Sequence, residues 1–370
     1  MKSPRYFAQL VCIMKLVNID WLEIFCNENS HVLDAEYFSS CGYSVKQREY
    51  GTPQYREMFV LYDRDLPVME IRRNPYSLKI HGGIFSAGDC HLRLPNRMCY
   101  DADPVNFFRK FLLSHDYTLK SISRIDICLD FQTFDNGESP EQFVSKYMCG
   151  ILSKLNQCNI AAHGKDRWTE RHWNSLKWGS DKSPITTKLY NKSLELKETH
   201  AKNYIVMQWE YARFNMAKDI WRLEFSISSH IKGYVNLETG HVIESKLTTY
   251  DTREKLLIRH LSLQSIYFDI RIVSRSKNGQ LIRKSRCPKY NAFNKADLKV
   301  YKPINLVQMK DPDRTDKMLL KRLKEMYDKS PDDDKRKSIR DVFMLIADNR
   351  LFSDIQYYKL ISPILATAVQ

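Results

Sequence analysis

Ser123-Arg124-Ile125-Asp126-Ile127-Cys128-Leu129-Asp130-Phe131 alternates polar and apolar side chains without a break. Strand side chains point to opposite faces at period two, so Arg124, Asp126, Cys128 and Asp130 share one face. Ile125, Ile127 and Leu129 share the other, which is expected to pack under helices. Two further segments read the same way. Lys188-Leu189-Tyr190-Asn191-Lys192 sets a tyrosine between two lysines that point the same way on a short strand. Trp221-Arg222-Leu223-Glu224-Phe225-Ser226 puts Arg222, Glu224 and Ser226 on one side and Trp221, Leu223 and Phe225 on the other.

Working outward, the pattern predicts a first strand over 18–26 with Ile19, Trp21, Glu23 and Phe25 on one side, and strands over 57–62, 68–71 and 78–83. Helical spacing covers 103–115. Ser139-Pro140-Glu141-Gln142 combines a serine cap, a first-turn proline and an acidic residue, and opens a helix to about Leu155 with Phe143, Tyr147, Met148, Ile151 and Leu155 as its apolar face. Residues 156–187 read as loop with a short strand at 175–178. Helix is expected over 193–199 and most of 244–262, with strands at 220–228 and 265–273. Lys277-Asn278-Gly279-Gln280 is the strongest hairpin signal. From Asp311 charged helical patterns replace strands, so Lys302-Pro303 marks a domain boundary, with region 1–302 followed by a helical extension over 303–370.

The 370 residues suffice for one large domain or two ordinary ones. Hydrophobic residues at 43% and charged residues at 28% give a soluble globular balance. A net charge of +14 argues for an anionic partner, most simply nucleic acid, although a basic enzyme without such a partner has the same charge. The nine cysteines are odd in number and irregularly spaced, with no CxxC pair. This excludes a disulfide framework or zinc knuckle and points to a reducing cytoplasm. The weakly apolar run 7–17 is interrupted by Gln9 and Lys15, too short to span a bilayer and without a small-residue cleavage site, so no membrane partner is expected.

If the three strands are neighbours, one face gathers a phenol, several cations and three carboxylates. That inventory suits cutting a nucleic-acid phosphodiester with a metal ion and a tyrosine nucleophile. Two carboxylates on one face are costly unless a cation or water meets them. A divalent metal held by hard oxygen ligands answers this, and so does an ion pair with Arg124 and neighbouring lysines. Glu224 completes a metal site or faces solvent on an amphipathic strand. Arg222 has the geometry to hold a phosphate by two parallel hydrogen bonds. Lysines beside Tyr190 are expected to favour phenolate and attract the phosphate. The 273–289 segment carries Arg275, Lys277, Arg283, Lys284, Arg286 and Lys289 without an intervening acid. It reads either as a DNA-reading ribbon or as a hairpin with protective surface charge.

The order Arg-Ile-Asp-x-x-x-Asp-Phe at 124–131, Trp178-Gly179-Ser180, Leu-Tyr-Asn-Lys at 189–192 with Glu195 beyond, and Trp-Arg-Leu-Glu at 221–224 resembles the Rep_trans group of rolling-circle replication initiators. Relaxases of conjugative elements share the same core, and the likeness spans about Ile19 to Ile227. The resemblance implies an α+β fold similar to HUH endonucleases, an antiparallel sheet backed by helices. It implies that Tyr190 attacks the scissile phosphate, leaving a 5′-phosphotyrosine and a free 3′-hydroxyl. It also implies Mg2+ or Mn2+ on acidic strand residues matching Asp126, Asp130 and Glu224. Lys188, Lys192 and Arg222 would then position the backbone, with Lys192 and Arg222 at the reacting phosphate and Arg124 among the DNA contacts. The His-hydrophobe-His pair of HUH enzymes is missing, and His81 is the neighbouring candidate ligand. The implied partners are DNA at an origin and its single-stranded nick region, a host polymerase or helicase, and a second copy of the chain. A relaxase for conjugative transfer, and a non-catalytic DNA-binding regulator with the same fold, are the alternatives.

Overall fold

The computed structural model describes residues 15–29, 32–49, 51–76, 79–80, 83–84, 88–156, 159–167, 170–180, 183–199, 202–228, 231–235, 242–244, 246–293, 305–308, 325–330, 332, 334–337 and 339. Its strands are β1 (Lys15–Glu28), β2 (Ser44–Gln47), β3 (Tyr55–Asp63), β4 (Leu66–Pro75), β5 (Lys79–Ile80), β6 (Gly83–Ile84), β7 (Asp89–Leu94), β8 (Tyr117–Phe131) and β9 (Leu152–Lys154). They continue with β10 (Ile160–Arg167), β11 (Glu170–Trp178), β12 (Ile185–Asn191), β13 (Trp221–Ser228), β14 (Ile231–Val235), β15 (Val242–Glu244), β16 (Ile270–Ile272) and β17 (Asn305–Gln308). Ten of them form one sheet in the order β10-β11-β12-β13-β8-β1-β7-β4-β3-β2, antiparallel at every pairing. The helices are α1 (Ala35–Ser40), α2 (Asn96–Cys99), α3 (Pro104–Ser114), α4 (Pro140–Met148), α5 (Lys192–Thr199), α6 (Asn203–Tyr211) and α7 (Arg253–Tyr267). The architecture is α+β, a large antiparallel sheet backed by helices.

The alternation of β8 decides the layering. Ile127 stands opposite Ile19 on one side and Phe225 on the other, and Leu129 opposite Val17 and Leu223. Ile127, Phe225 and Leu223 are fully buried. Each such side chain contributes about 1.5–3 kcal/mol by leaving water. Helix α7 packs on β1 and β8, and α4 on β11. The opposite face displays the polar set in matching rows: Lys188, Glu224 and Cys128 in one, Tyr190, Arg222 and Asp130 in the next. The three motif strands are therefore adjacent, in the order β12-β13-β8.

Strand β1 departs from simple alternation. Ile19 pairs with Ile127 and Trp21 with Asp126, so Asp20 is an extra residue in a bulge. Ile19 lies with the core and Trp21 with the polar face, which corrects the expectation that they share a side.

Local signals placed the helix starts well. Asp103 Oδ1 accepts from the Asn106 N–H at 3.0 Å ahead of α3, and Ser139 and Gln142 close a capping box around Pro140 at α4. Helix α4 stops at Met148, not near Leu155. Gly150 takes φ 73°, and the Ile151 N–H reaches back to the Lys146 carbonyl at 2.9 Å, a left-handed C-terminal stop. Met148 and Ile151, expected on the apolar face, are accordingly 39% and 49% exposed. Residues 160–167 and 170–178, read mostly as loop, form the paired strands β10 and β11. Helix α7 runs through to Tyr267, so only Ile270–Ile272 of the expected 265–273 strand is extended, paired with β9.

The 277–280 turn forms, with Gly279 at φ 77° and the Ser276 N–H bonded to the Gln280 carbonyl at 2.7 Å. A single bridge, Arg275 to Leu281, extends it, and Lys284–Arg286 is a 3₁₀ turn. This is a short basic hairpin, paired over 274–276 and 280–282. His81 and the 302–303 boundary lie outside the described residues, as does most of the C-terminal extension. Residues 325–329 and 334–337 are helical, and β17 pairs with β14. Among the described residues no helix is long and apolar enough to cross a membrane.

Candidate active site

A cavity of about 610 Å³ opens over β8, β12 and β13. Tyr190, Lys188, Glu224, Asp126 and Arg124 all line it, as do Asp20 and Trp21 of β1, Lys192 and Glu195 of α5, and Lys177 of β11. The Tyr190 hydroxyl donates to Glu224 Oε2 at 2.9 Å. Lys188 Nζ donates to the other oxygen, Oε1, at 3.0 Å. One carboxylate thus bridges the phenol and an ammonium. The registers explain it: Lys188 is directly opposite Glu224, and Tyr190 is the next residue on the same face.

The lysines do not activate Tyr190 as expected. Burial, with the Glu224 charge beside it, holds the phenol well above its ordinary value. Lys188 is committed to Glu224, and Lys192 gives hydrogen bonds to both oxygens of Glu195 at 2.8 and 2.9 Å. Lys192 is the first residue of α5, nearly fully buried, with Nζ 5.4 Å from the centre of the Tyr190 ring. Deprotonation of Tyr190 therefore requires a base, and Glu224 is the group in hydrogen-bond reach.

Asp126 receives Arg124 Nε at 2.9 Å and Nη2 at 2.5 Å. Burial, countered by the Arg124 hydrogen bonds and reinforced by the Glu224 charge, raises its carboxyl to about 6. Asp130 behaves differently although it shares the same strand face. Both its oxygens are taken, by Arg222 Nε at 2.6 Å and Nη2 at 2.8 Å, and by Trp209 Nε1 of α6 at 2.8 Å. Asp130 and Arg222 are both completely buried and line no part of the cavity. Helix α6 covers this end of the polar face. Arg222 also donates from Nη1 to Asp20 at 2.6 Å. Burial alone would lower its pKa, but the Asp130 carboxylate holds it well above its ordinary value. The pair is an internal ion pair, which corrects the assignment of Arg222 to the phosphate and of Asp130 to a metal.

Among the described residues no three His, Cys, Asp or Glu side chains converge on one point, and Asp130 stands apart from the other two carboxylates of the expected set. Two carboxylates of the expected set, Asp126 and Glu224, do share the cavity. Magnesium is commonly held by one or two carboxylates plus substrate phosphate, and that donor set fits. The charge balance agrees: Arg124, Lys177, Lys188, Lys192 and Lys202 face Asp20, Asp126, Glu195, Glu198 and Glu224 across the same cavity. A phosphate entering it would add negative charge that a divalent cation offsets.

Of the DNA-contact candidates, Arg124 and Lys188 line the cavity. Arg275, Lys277, Arg283, Lys284 and Arg286 are exposed on the basic turn; none lines this cavity, and Lys284 borders a separate depression of about 420 Å³ beside Tyr147 and Ser153. Sequence reasoning missed Asp20, His163 and Lys202. Asp20 is placed by the bulge, which leaves no mark in the alternation, and it accepts the Tyr100 hydroxyl as well as Arg222. Burial pushes its carboxyl up, but the Arg222 and Lys192 charges outweigh it and hold the group far below the usual range.

No family model matches the chain, and no curated protein matches it in sequence. Among solved structures it is similar to a rolling circle replication initiator protein from Geobacillus stearothermophilus, with 12% identity, a TM-score of 0.46, and coverage of 80% of this chain and 99% of that one.

Proposed function

We propose that the chain is a DNA nicking and strand-transfer enzyme with Tyr190 as nucleophile, acting at an origin of rolling-circle replication. The observation that carries the reading is the Tyr190–Glu224 hydrogen bond, made inside an open cavity whose walls hold Lys188, Lys177 and Arg124. The order of the four sequence motifs supports it independently. Glu224 takes the phenolic proton as Tyr190 oxygen attacks the phosphorus. The P–O3′ bond breaks, the 3′ oxygen takes a proton from water in the open cavity, and the 5′ end stays on Tyr190 as a phosphodiester. That linkage retains the cleavage energy, so a later 3′-hydroxyl can reseal the strand without a nucleotide cofactor. The free 3′-hydroxyl is the end a polymerase extends.

Lys188 has two duties. Its ammonium holds Glu224 in place before reaction and lies where a phosphate oxygen would settle. Asp130 and Arg222 lie in the same row as Tyr190 and fix β8 against β13, so that the strands carrying Asp126 and Glu224 keep their register. A divalent cation would be held by Asp126 and Glu224, where it would offset charge on a non-bridging phosphate oxygen. Incubation with supercoiled plasmid carrying the cognate origin, with and without Mn2+, tests the reading. Nicked circles and a protein–DNA adduct stable to denaturing electrophoresis are expected, and Tyr190→Phe should retain DNA binding while losing both. A normal adduct yield from Tyr190→Phe would overturn the assignment.

A further inference from the structure

Trp21 lies between two guanidinium groups. Arg93 of β7 and Arg124 of β8 flank β1 from its two sides, each directly opposite Glu23. Each guanidinium carbon sits 4.4 Å from the Trp21 ring centre. The outer groups are fixed at their edges, Arg124 by two hydrogen bonds to Asp126 and Arg93 by Glu70 at 2.5 Å. The indole N–H is held by Glu23 at 3.2 Å. The indole thus carries two guanidinium groups, and Trp21 and Arg124 stand in the wall of the cavity that Tyr190 also lines.

This arrangement is suited to more than gripping phosphate. A guanidinium that grips phosphate offers the edge carrying its N–H groups. Arg124 has already given Nε and Nη2 to Asp126, which leaves Nη1 for a phosphate, and its guanidinium sits over the Trp21 ring. Its side chain is nevertheless 39% exposed and lines the cavity. A planar cation with one free face stacks on a base, provided the base is unpaired and turned out of a duplex. Resting on the nuclease reading, we propose that the open face of Arg124, backed by Trp21 and Arg93, is a stacking platform for an unpaired nucleobase of the strand entering the cavity. The platform accepts any base, because every base has a π-face, and it makes single-stranded DNA the substrate form the site holds.

The test uses the full-length Tyr190→Phe protein, which cannot form the adduct. Its affinity is measured by fluorescence anisotropy for an oligothymidylate of about 12 nucleotides, within the usual footprint of such sites. The comparison strand has the same length and charge but carries abasic sugars throughout. Base removal should weaken binding, by roughly 5- to 100-fold for the stacked position. Adding Arg124→Lys keeps the charge but removes the plane, and should shrink that ratio at least about 5-fold while leaving the abasic strand's affinity little changed. Trp21→Leu, which removes the backing without touching Asp126, should shrink it as well. An unchanged ratio in both variants overturns the platform alone. Failure of the parent protein to bind either strand overturns the platform and the nuclease reading together.

Discussion

Asp130→Asn separates an ion-pair role from a metal role by magnitude. The wild-type carboxylate meets Arg222 through two hydrogen bonds and Trp209 through a third, with no solvent exposure on either member of the pair. The amide supplies one acceptor where three donors converge, and its own NH2 points at a donor. The charge of Arg222 is then left with Asp20 as its remaining ion-pair partner. Breaking a buried pair in this way costs about 3–5 kcal/mol. Against a total stability of about 5–15 kcal/mol, that is a large fraction. With a urea slope of about 2–3 kcal/mol per molar, the unfolding midpoint falls by roughly 1–2 M. The assay is urea unfolding followed by tryptophan fluorescence, paired with Mn2+ titration of the folded protein. Mn2+ affinity should not change, because Asp130 lies outside the cavity. A stability loss below about 1 kcal/mol together with abolished Mn2+ binding would refute the argument.

Glu224→Gln removes the base while keeping the shape, and single-turnover nicking should fall by about 10²–10⁴ with DNA binding retained; a rate within a few-fold of wild type would show that Tyr190 is activated by another route. Asp126 gives a stability signature. Its folded pKa of about 6, raised from an ordinary 3.8, means the native state holds the proton more tightly than the unfolded chain. Its contribution to stability is therefore full below about 4 and declines as pH rises through 6. Urea midpoints of Asp126→Asn measured over that window should lack this decline, and parallel wild-type and variant curves would contradict it. Neutralising Arg283, Lys284 and Arg286 should flatten the salt dependence of duplex binding, by up to about 0.9 in the log–log slope for each phosphate the turn no longer neutralises; an unchanged slope would remove the basic turn from the interface.

The motif strands were legible because β8, β12 and β13 each set an apolar face against a polar one, and that contrast is written into the sequence even where both faces are buried. Their adjacency was a condition of the reading, and the antiparallel direction came with the family resemblance, because alternation within a strand does not name its neighbours. The difference between Asp126 and Asp130 was not legible. They sit on one face of one strand, and only Trp209, some eighty positions away, decides that Asp130 is covered. The reactivity of Tyr190 was misjudged for a related reason. Its flanking lysines are visible in the chain, but not that Glu224 of another strand engages Lys188 while Glu195, one turn on in the same helix, engages Lys192. The β10–β11 pair lies at the sheet edge, and an edge with little apolar alternation looks like loop.

The bulge in β1 has a consequence for how this chain tolerates change in length. Ile19 and Trp21 take consecutive partners, Ile127 and Asp126. Deleting Asp20 would therefore leave Ile19 in the core and Trp21 on the cavity side, with the rest of the strand still in phase. Removing Ile19 or Trp21 instead would also close the bulge, but it would put the Asp20 carboxylate in the core position opposite Ile127 or in the Trp21 place opposite Asp126. Asp20 is a detachable residue, an insertion the sheet can lose without refolding. Its cost would be borne by Arg222, reduced from two carboxylate partners to Asp130 alone.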